Sequence, residues 1–77
     1  MPTLAIIDCY RFLFWSLDLN EPPHVHVEGH GGKAKFWLTP VRLQSAKGYN
    51  ERQLNKLQRM VEQNAAEWLE VWREHFS

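Results

Sequence analysis

Two histidines stand two residues apart in a segment that alternates with valine, His24-Val25-His26-Val27-Glu28. On a β-strand, residues two apart project from the same face with α-carbons roughly 6.6 Å apart, so the two imidazoles and the carboxylate form one row. Imidazole titrates near neutral pH and is a common ligand of divalent metals. The row is therefore compatible with proton transfer in hydrolysis, with recognition of an anion, or with metal coordination.

Each interpretation competes with a simpler one, in which the row is the solvated side of an amphipathic hairpin. As a catalytic pair, His24 and His26 would supply the general acid and base, which we keep as a hypothesis. As metal ligands, the candidates are His24, His26 and Glu28. No further histidine or cysteine completes that site, because His30 falls on a loop and His75 on a distant helix. We predict no bound metal and no cofactor.

Seven basic residues are the candidate contacts for phosphate groups or for an acidic partner. They are Lys33, Lys35, Arg42, Lys47, Arg52, Lys56 and Arg59. A basic stretch over 42–59 is followed by an acidic one over 62–74, although nine basic and nine acidic residues cancel over the whole chain. Zero net charge excludes a uniformly polycationic nucleic-acid binder. For the basic residues of the predicted helix, the alternative is that they are simply solvated surface without a binding role.

A first β-hairpin is predicted at the N-terminus. Residues 3–16 are mostly apolar and are interrupted at Asp8, which predicts a two-residue turn and places Thr3 opposite Phe14. Cys9 stands in this turn at a position that favours glycine, because the turn requires positive φ. Both faces of the hairpin are apolar, and one helix covers only one face of a sheet. The apolar face that the helix leaves uncovered predicts a homodimer or a partner protein.

A second hairpin holds the histidine row. Two alternating segments flank the glycine-rich residues 29–32, which predict a four-residue loop and pair Glu28 with Lys33 and Val25 with Phe36. The two strands agree about which side faces the core, which supports this register. Before the hairpin, two consecutive prolines predict a rigid connector over 18–23, and after it a short further strand is expected at 41–43.

A C-terminal helix completes the predicted fold. Asn50 and Gln53 have the spacing of a capping box, and apolar residues recur after them at steps of three and four. About 25 residues would span roughly 38 Å, so a break near Asn64 is also compatible with the pattern. We predict an α+β fold: an antiparallel sheet of two consecutive hairpins, with four or five strands, packed by one long or two shorter C-terminal helices.

Composition favours a single domain over residues 1–77. A chain of 77 residues buries a small share of its surface, but 44% hydrophobic and 13% aromatic residues compensate. Cys9 is the only cysteine, so no internal disulfide indicates an oxidising compartment. Asp8 and Arg11 interrupt the apolar N-terminus, which therefore lacks the pattern of a signal peptide. We expect a cytoplasmic protein without membrane contact.

Several segments carry a family resemblance that covers essentially the whole chain: Met1-Pro2-Thr3 with 6–8, the string Pro-Pro-His-Val-His-Val at 22–27, the strand 34–38 and the helix end 72–76. In these segments the chain resembles the small prokaryotic domain-of-unknown-function family 4160. The string at 22–27 is the specific part of the match. Members commonly have glycine after the aspartate of the first turn, where this chain has Cys9.

The resemblance implies a bacterial protein encoded beside another small protein, an arrangement similar to toxin-antitoxin pairs. It implies no settled chemistry. The leading interpretation is one component of such a module acting through protein-protein association, with a cognate small protein, a homodimer or both as partner. Two alternatives stay open. One is a ribonuclease-like toxin or an RNA- or DNA-binding regulator that uses His24 and His26, with Lys35 and Arg42 as phosphate contacts. The other is a metal-binding domain.

Overall fold

Five antiparallel strands form one sheet in which each strand pairs with its sequence neighbours. The elements are β1 (Thr3–Ile7), β2 (Tyr10–Leu13), β3 (His24–Gly29), β4 (Gly32–Leu38), β5 (Val41–Lys47) and the helix α1 (Glu51–Phe76). The computed structural model describes residues 3–14 and 21–76, so the first half of the predicted connector lies outside the described residues. The α+β prediction is confirmed, with five strands and one helix.

The β1–β2 hairpin has the predicted turn but not the predicted register throughout. Ile7 pairs with Tyr10 across the turn, as the pattern predicts. The predicted pairing of Thr3 with Phe14 is wrong, because a bulge near the start of β1 shifts the ladder and Thr3 pairs with Leu13. A bulge adds one residue to one strand only, and nothing in the apolar sequence of this strand signals it.

The turn of this hairpin holds two non-glycine residues in the left-handed region, Asp8 at φ 53° and Cys9 at φ 68°. Such a conformation costs an L-residue about 1–2 kcal/mol, and aspartate tolerates it better than cysteine. We expect Cys9→Gly to raise the free energy of unfolding by about 0.5–1 kcal/mol, after allowing for the greater backbone entropy that glycine loses on folding. Urea denaturation measures this gain. An equal gain from Cys9→Ala, which keeps the Cβ, would show that the turn conformation is not its cause.

The β3–β4 hairpin has the predicted register and a tighter turn. Glu28 pairs with Lys33, and all the other predicted partners also match. Gly29 and Gly32 pair with each other as well. The predicted four-residue loop is therefore wrong, because its first and last glycines extend the ladder and leave a two-residue turn.

Strand β5 is longer than the sequence predicts. The chain turns at Thr39 and Pro40, which are joined by a cis peptide bond. The short strand expected at 41–43 continues to Lys47, with a bulge in its pairing to β4. This added length places Lys47 on the sheet together with Arg42.

Helix α1 begins with the predicted capping box. The Asn50 side-chain oxygen accepts the backbone N–H of Gln53 at 2.8 Å, and the Gln53 side-chain oxygen accepts the backbone N–H of Asn50 at 3.0 Å. The helix then continues for 26 residues. Of the two predicted forms, one long helix is therefore the one observed. At Asn64 the side-chain amide donates to the carbonyl of Met60 at 2.8 Å and the helix is not interrupted.

The helix covers one face of the sheet with aromatic side chains. Trp68 lies against Phe12, and Trp72 meets Phe14 edge-on, each with ring centroids 5.0 Å apart. Both tryptophans are buried in the core. Each buried aromatic side chain removes about 150–250 Å² from water, which gives a short chain an adequate core. The side of the sheet away from α1 is called the outer face below.

The outer side of the first hairpin exposes little apolar surface. Leu13 is 1% exposed, and the large hydrophobic side chains that are exposed among the described residues are Ile6, at 70%, and Leu43, at 39%. These two residues lie on β1 and β5, the opposite edges of the sheet. The described residues therefore carry no contiguous apolar patch of the kind from which we predicted docking.

Candidate functional site

The outer face collects polar residues from four strands. Because Val25, Val27, Ala34 and Phe36 are buried in the core beneath α1, the alternation of side chains turns their neighbours outward. The outer face consists of Arg11, Leu13, His24, His26, Glu28, Lys33, Lys35, Trp37, Arg42, Ser45 and Lys47. Both predicted catalytic histidines and four of the seven predicted basic residues thus lie on it.

His24 is fully buried, with 0% of its surface exposed. Its Nδ1 donates to the carbonyl of Pro22 at 2.9 Å, which places a proton on that nitrogen because a carbonyl only accepts. The ring lies 5.1 Å from the Trp72 ring, 5.7 Å from Trp37 and 5.0 Å from His26, measured between centroids. This histidine therefore joins the outer face to the helix, and its ring has no surface open to solvent.

His26 occupies different surroundings, although its ring touches that of His24. It is half-buried and lines an open groove of about 450 Å³ that runs across β3, β4 and β5. The charged residues of this groove are Glu28, Lys33, Lys35 and Lys47. Of the two predicted catalytic histidines, only His26 has access to a molecule lying in the groove.

Two ion pairs neutralise part of the charge on the outer face. The Arg11 guanidinium contacts the Glu28 carboxylate at 3.0 Å across β2 and β3, so Glu28 forms its ion pair with Arg11, although its strand partner on β4 is Lys33. Lys35 pairs with Glu21, and its ammonium lies 5.0 Å from the centre of the Trp37 ring. Both acidic groups close to the groove are therefore already engaged by a cation.

Three cations of the outer face are not neutralised by an ion pair. Lys33, Arg42 and Lys47 form no ion pair within the described part of the chain. Lys33 and Lys47 are direct partners across β4 and β5, where side chains stand about 5 Å apart and like charges destabilise the sheet. Arg42 is the partner of Trp37. The outer face is therefore a surface of uncompensated positive charge.

The remaining predicted basic residues do not join this surface. Arg52, Lys56 and Arg59 are exposed on α1, which covers the other face of the sheet. The Lys56 ammonium also contacts the Asp8 carboxylate at 3.2 Å. The structure thus divides the seven predicted contacts into four on the outer face and three on the helix.

Tyr49 fixes one end of the sheet. Its hydroxyl donates to the carbonyl of Gly29 at 2.8 Å. Burial raises the pKa of Tyr49, and the nearby Tyr10 and Glu28 raise it further, so the hydroxyl remains protonated and remains a donor. The sequence pattern does not predict the role of Tyr49, since no spacing signal connects it with the turn that it holds. Nor does it predict the role of Arg11, which the pairing of β2 with β3 brings to Glu28.

The described residues contain no group of three or more histidine, cysteine, aspartate or glutamate side chains placed to hold a metal ion. His24, His26 and Glu28 do form a row, but the first and last of them already have other hydrogen-bond partners. Nδ1 of His24 bonds to Pro22, and Glu28 bonds to Arg11. The arrangement therefore offers anion recognition more readily than metal coordination.

These features define an α+β domain in which a five-stranded antiparallel meander has one face under a helix and one basic face. A family model described as Domain of unknown function (DUF4160) matches residues 9–73, and the chain belongs to that family. No curated protein and no solved structure matches the chain. Within residues 3–14 and 21–76, no helix is both long and apolar enough to cross a bilayer.

Proposed function

We propose that this protein is one component of a toxin-antitoxin-like two-gene module and that it acts by binding single-stranded RNA on its outer face. The family resemblance supports the two-gene setting. The mode of action is supported by one observation above all, the uncompensated charge of Lys33, Arg42 and Lys47 beside an open groove. This surface favours the nucleic-acid alternative over the docking interpretation that the sequence placed first.

The outer face combines the two features that single strands require: the basic groove, and beside it a separate cavity lined by Trp37 and Arg42. Cations along a groove neutralise the phosphates, and an aromatic side chain offers a face on which a base stacks. Trp37 is partly exposed, carries the Lys35 ammonium 5.0 Å from its ring centre and pairs with Arg42. His26 adds a ring nitrogen at the same surface. Backbone contacts and base stacking thus both have residues to provide them.

The width of the surface favours a single strand over a duplex. The groove crosses three strands, which are spaced about 4.8 Å apart. The major groove of B-DNA admits an α-helix or a two-stranded ribbon, and a three-stranded face with its side chains is wider than that. RNA recognition by sheets uses single-stranded segments whose bases are unstacked.

The proposal is binding rather than catalysis, because only one of the two predicted catalytic histidines reaches the groove. His24 has no exposed surface, and its Nδ1 proton is donated to the carbonyl of Pro22. His26 alone supplies a single titrating group. A pair of exposed imidazoles, one as acid and one as base, is the arrangement that the hydrolytic alternative requires.

A second candidate function is association with a cognate small protein or a second copy of the chain. Ile6 favours it, since this large apolar side chain is 70% exposed on β1, an edge strand of the sheet. Edge strands present unpaired backbone groups to any neighbouring strand. This surface lies at the edge of the sheet opposite β5.

Fluorescence anisotropy with a labelled single-stranded RNA of about 12 nucleotides tests the proposal. Affinity should fall as salt rises from about 50 to about 200 mM, with a log-log slope near −2 for three phosphate contacts. Lys33→Gln, Arg42→Gln and Lys47→Gln should each weaken binding by about 3- to 10-fold and reduce the slope by about 0.7, because each removes one contact.

The matched control is Arg73→Gln, which removes the same charge from the acidic half of α1, where Arg73 pairs with Glu70 at 3.0 Å. It should bind RNA as the wild type does. Absence of binding, or an equal loss in the control, would overturn the proposal and leave protein association as the leading function.

A further inference from the structure

A second cavity lies where the β3–β4 turn meets the end of β5. Its volume is about 430 Å³. All four glycines of the chain and two lysines line it: Gly29, Gly31, Gly32, Lys33, Lys47 and Gly48. We call this cavity the glycine corner.

The backbones that form the glycine corner touch each other directly. A Cβ on Gly48 would lie 2.8 Å from the carbonyl oxygen of Gly31, and a Cβ on Gly32 would lie 2.8 Å from the carbonyl oxygen of Lys47. The turn and the end of β5 are therefore held together in a way that side chains would prevent. The corner is pre-organised, so a ligand does not have to order it on binding.

Gly31 leaves the turn open on one side. It adopts φ +78°, and a Cβ built on it would meet no atom within 4 Å. It is one of the two central residues of the turn, whose N–H groups lie outside the hydrogen-bond ladder of the hairpin. Glycine-rich concavities with free N–H groups bind anions in many proteins.

The charges of the glycine corner are all positive. Lys33 and Lys47 face each other across β4 and β5, and no acidic residue from the described part of the chain lines the cavity. The closest acidic neighbour in the ladder is Glu28, whose carboxylate contacts Arg11 on the far side of β3. Two adjacent ammonium groups without a counter-ion destabilise the sheet, and one compact dianion between them removes that cost.

We propose that the glycine corner binds a phosphate monoester, the terminal phosphate of a nucleic-acid strand that lies in the adjoining groove. This inference rests on the proposed RNA binding and deepens it. Lys33 and Lys47 line both the groove and the corner, so the two cavities adjoin and the end of a strand in the groove can reach the corner. A monoester carries a charge of about −1.5 to −2 at neutral pH, whereas an internal phosphate carries one negative charge. The charge of two lysines therefore matches a terminal phosphate better than an internal one.

Three RNAs of one sequence test the inference: one with a 5′-phosphate, one with a 3′-phosphate and one with hydroxyls at both ends. In anisotropy titrations, a terminal phosphate should tighten binding to the wild type about 10-fold, and the end that gives the gain fixes the direction of the strand. Lys33→Gln and Lys47→Gln should lose this gain. Arg42→Gln, at the other end of β5, should weaken binding of all three RNAs and retain the gain.

The outcomes separate the two proposals. Equal affinity for the three RNAs would overturn the terminal-phosphate site and leave the RNA-binding function intact. Absence of binding by all three would overturn the proposed function itself. Competition by inorganic phosphate distinguishes the sources of the ligand: it should reduce the affinity only for the phosphorylated RNA, and strong competition against all three would contradict a site for the strand end.

Thermal unfolding gives a measurement without RNA. At matched ionic strength, replacing chloride by inorganic phosphate should raise the Tm of the wild type more than that of the Lys33→Gln/Lys47→Gln variant, because a ligand that binds only the folded state stabilises it. General salting-out by phosphate acts on both proteins alike. The variant should fold, since it removes a like-charge pair. An equal rise in both proteins would overturn the site.

Discussion

Replacing His24 by alanine should lower the free energy of unfolding by about 3 kcal/mol. The ring is fully buried and packs against Trp37 and Trp72, so its removal leaves a cavity beside these two rings. The carbonyl of Pro22 also loses its donor. Urea denaturation with linear extrapolation measures the change.

Two further substitutions separate this structural role from a catalytic one. His24→Asn keeps a nitrogen donor near the position of Nδ1, so it should recover part of the stability and should still bind RNA. His26→Ala removes a half-buried ring and should cost less than about 1 kcal/mol. Equal losses of stability for His24→Ala and His26→Ala would contradict the burial and the hydrogen bond that we assign to His24.

Gly29→Ala should lower the free energy of unfolding by about 3 kcal/mol. Gly29 adopts φ +139°, a region that is essentially restricted to glycine. A Cβ at this position would lie 2.5 Å from the carbonyl oxygen of Cys9, which is backbone and cannot move without disturbing the β1–β2 turn. The substitution therefore adds a steric clash to an unfavourable conformation.

The matched control is Gly31→Ala in the same turn. Its φ of +78° is also left-handed, but a Cβ there meets nothing within 4 Å. This variant should lose only the conformational term of about 1 kcal/mol. If the two alanine variants have equal midpoints in thermal or urea unfolding, the close approach of Gly29 to Cys9 does not determine stability.

Local patterns predict the parts of this fold whose partners are close in sequence. The β3–β4 register follows from the alternation of two neighbouring strands, because a shift by one residue would place lysine against valine in the core. The capping box of Asn50 and Gln53 spans three residues and forms as predicted. In both places the residues that favour the local structure also suit its position in the fold.

The remaining features depend on contacts that the sequence pattern does not encode. The strand pattern turns His24 away from the core, and its contact with Trp72, 48 positions away on the helix, has no signal in the local sequence. The sequence also does not show which of the seven basic residues share a surface. The structure places four of them on the sheet and three on the helix. Arg11 reaches Glu28 only because β2 pairs with β3 across a connection that carries no tight-turn signal.

Binding of nucleic acid on the outer face, rather than on α1, is the central proposal. A titration of ¹⁵N-labelled protein with single-stranded RNA, followed by two-dimensional NMR, locates the contact surface directly. We expect the amide signals of Lys33, Lys35 and Lys47 and the indole signal of Trp37 to shift as RNA is added, while those of Arg52 and Arg59 stay in place. Shifts confined to α1, or to the exposed edge of β1, would contradict the account.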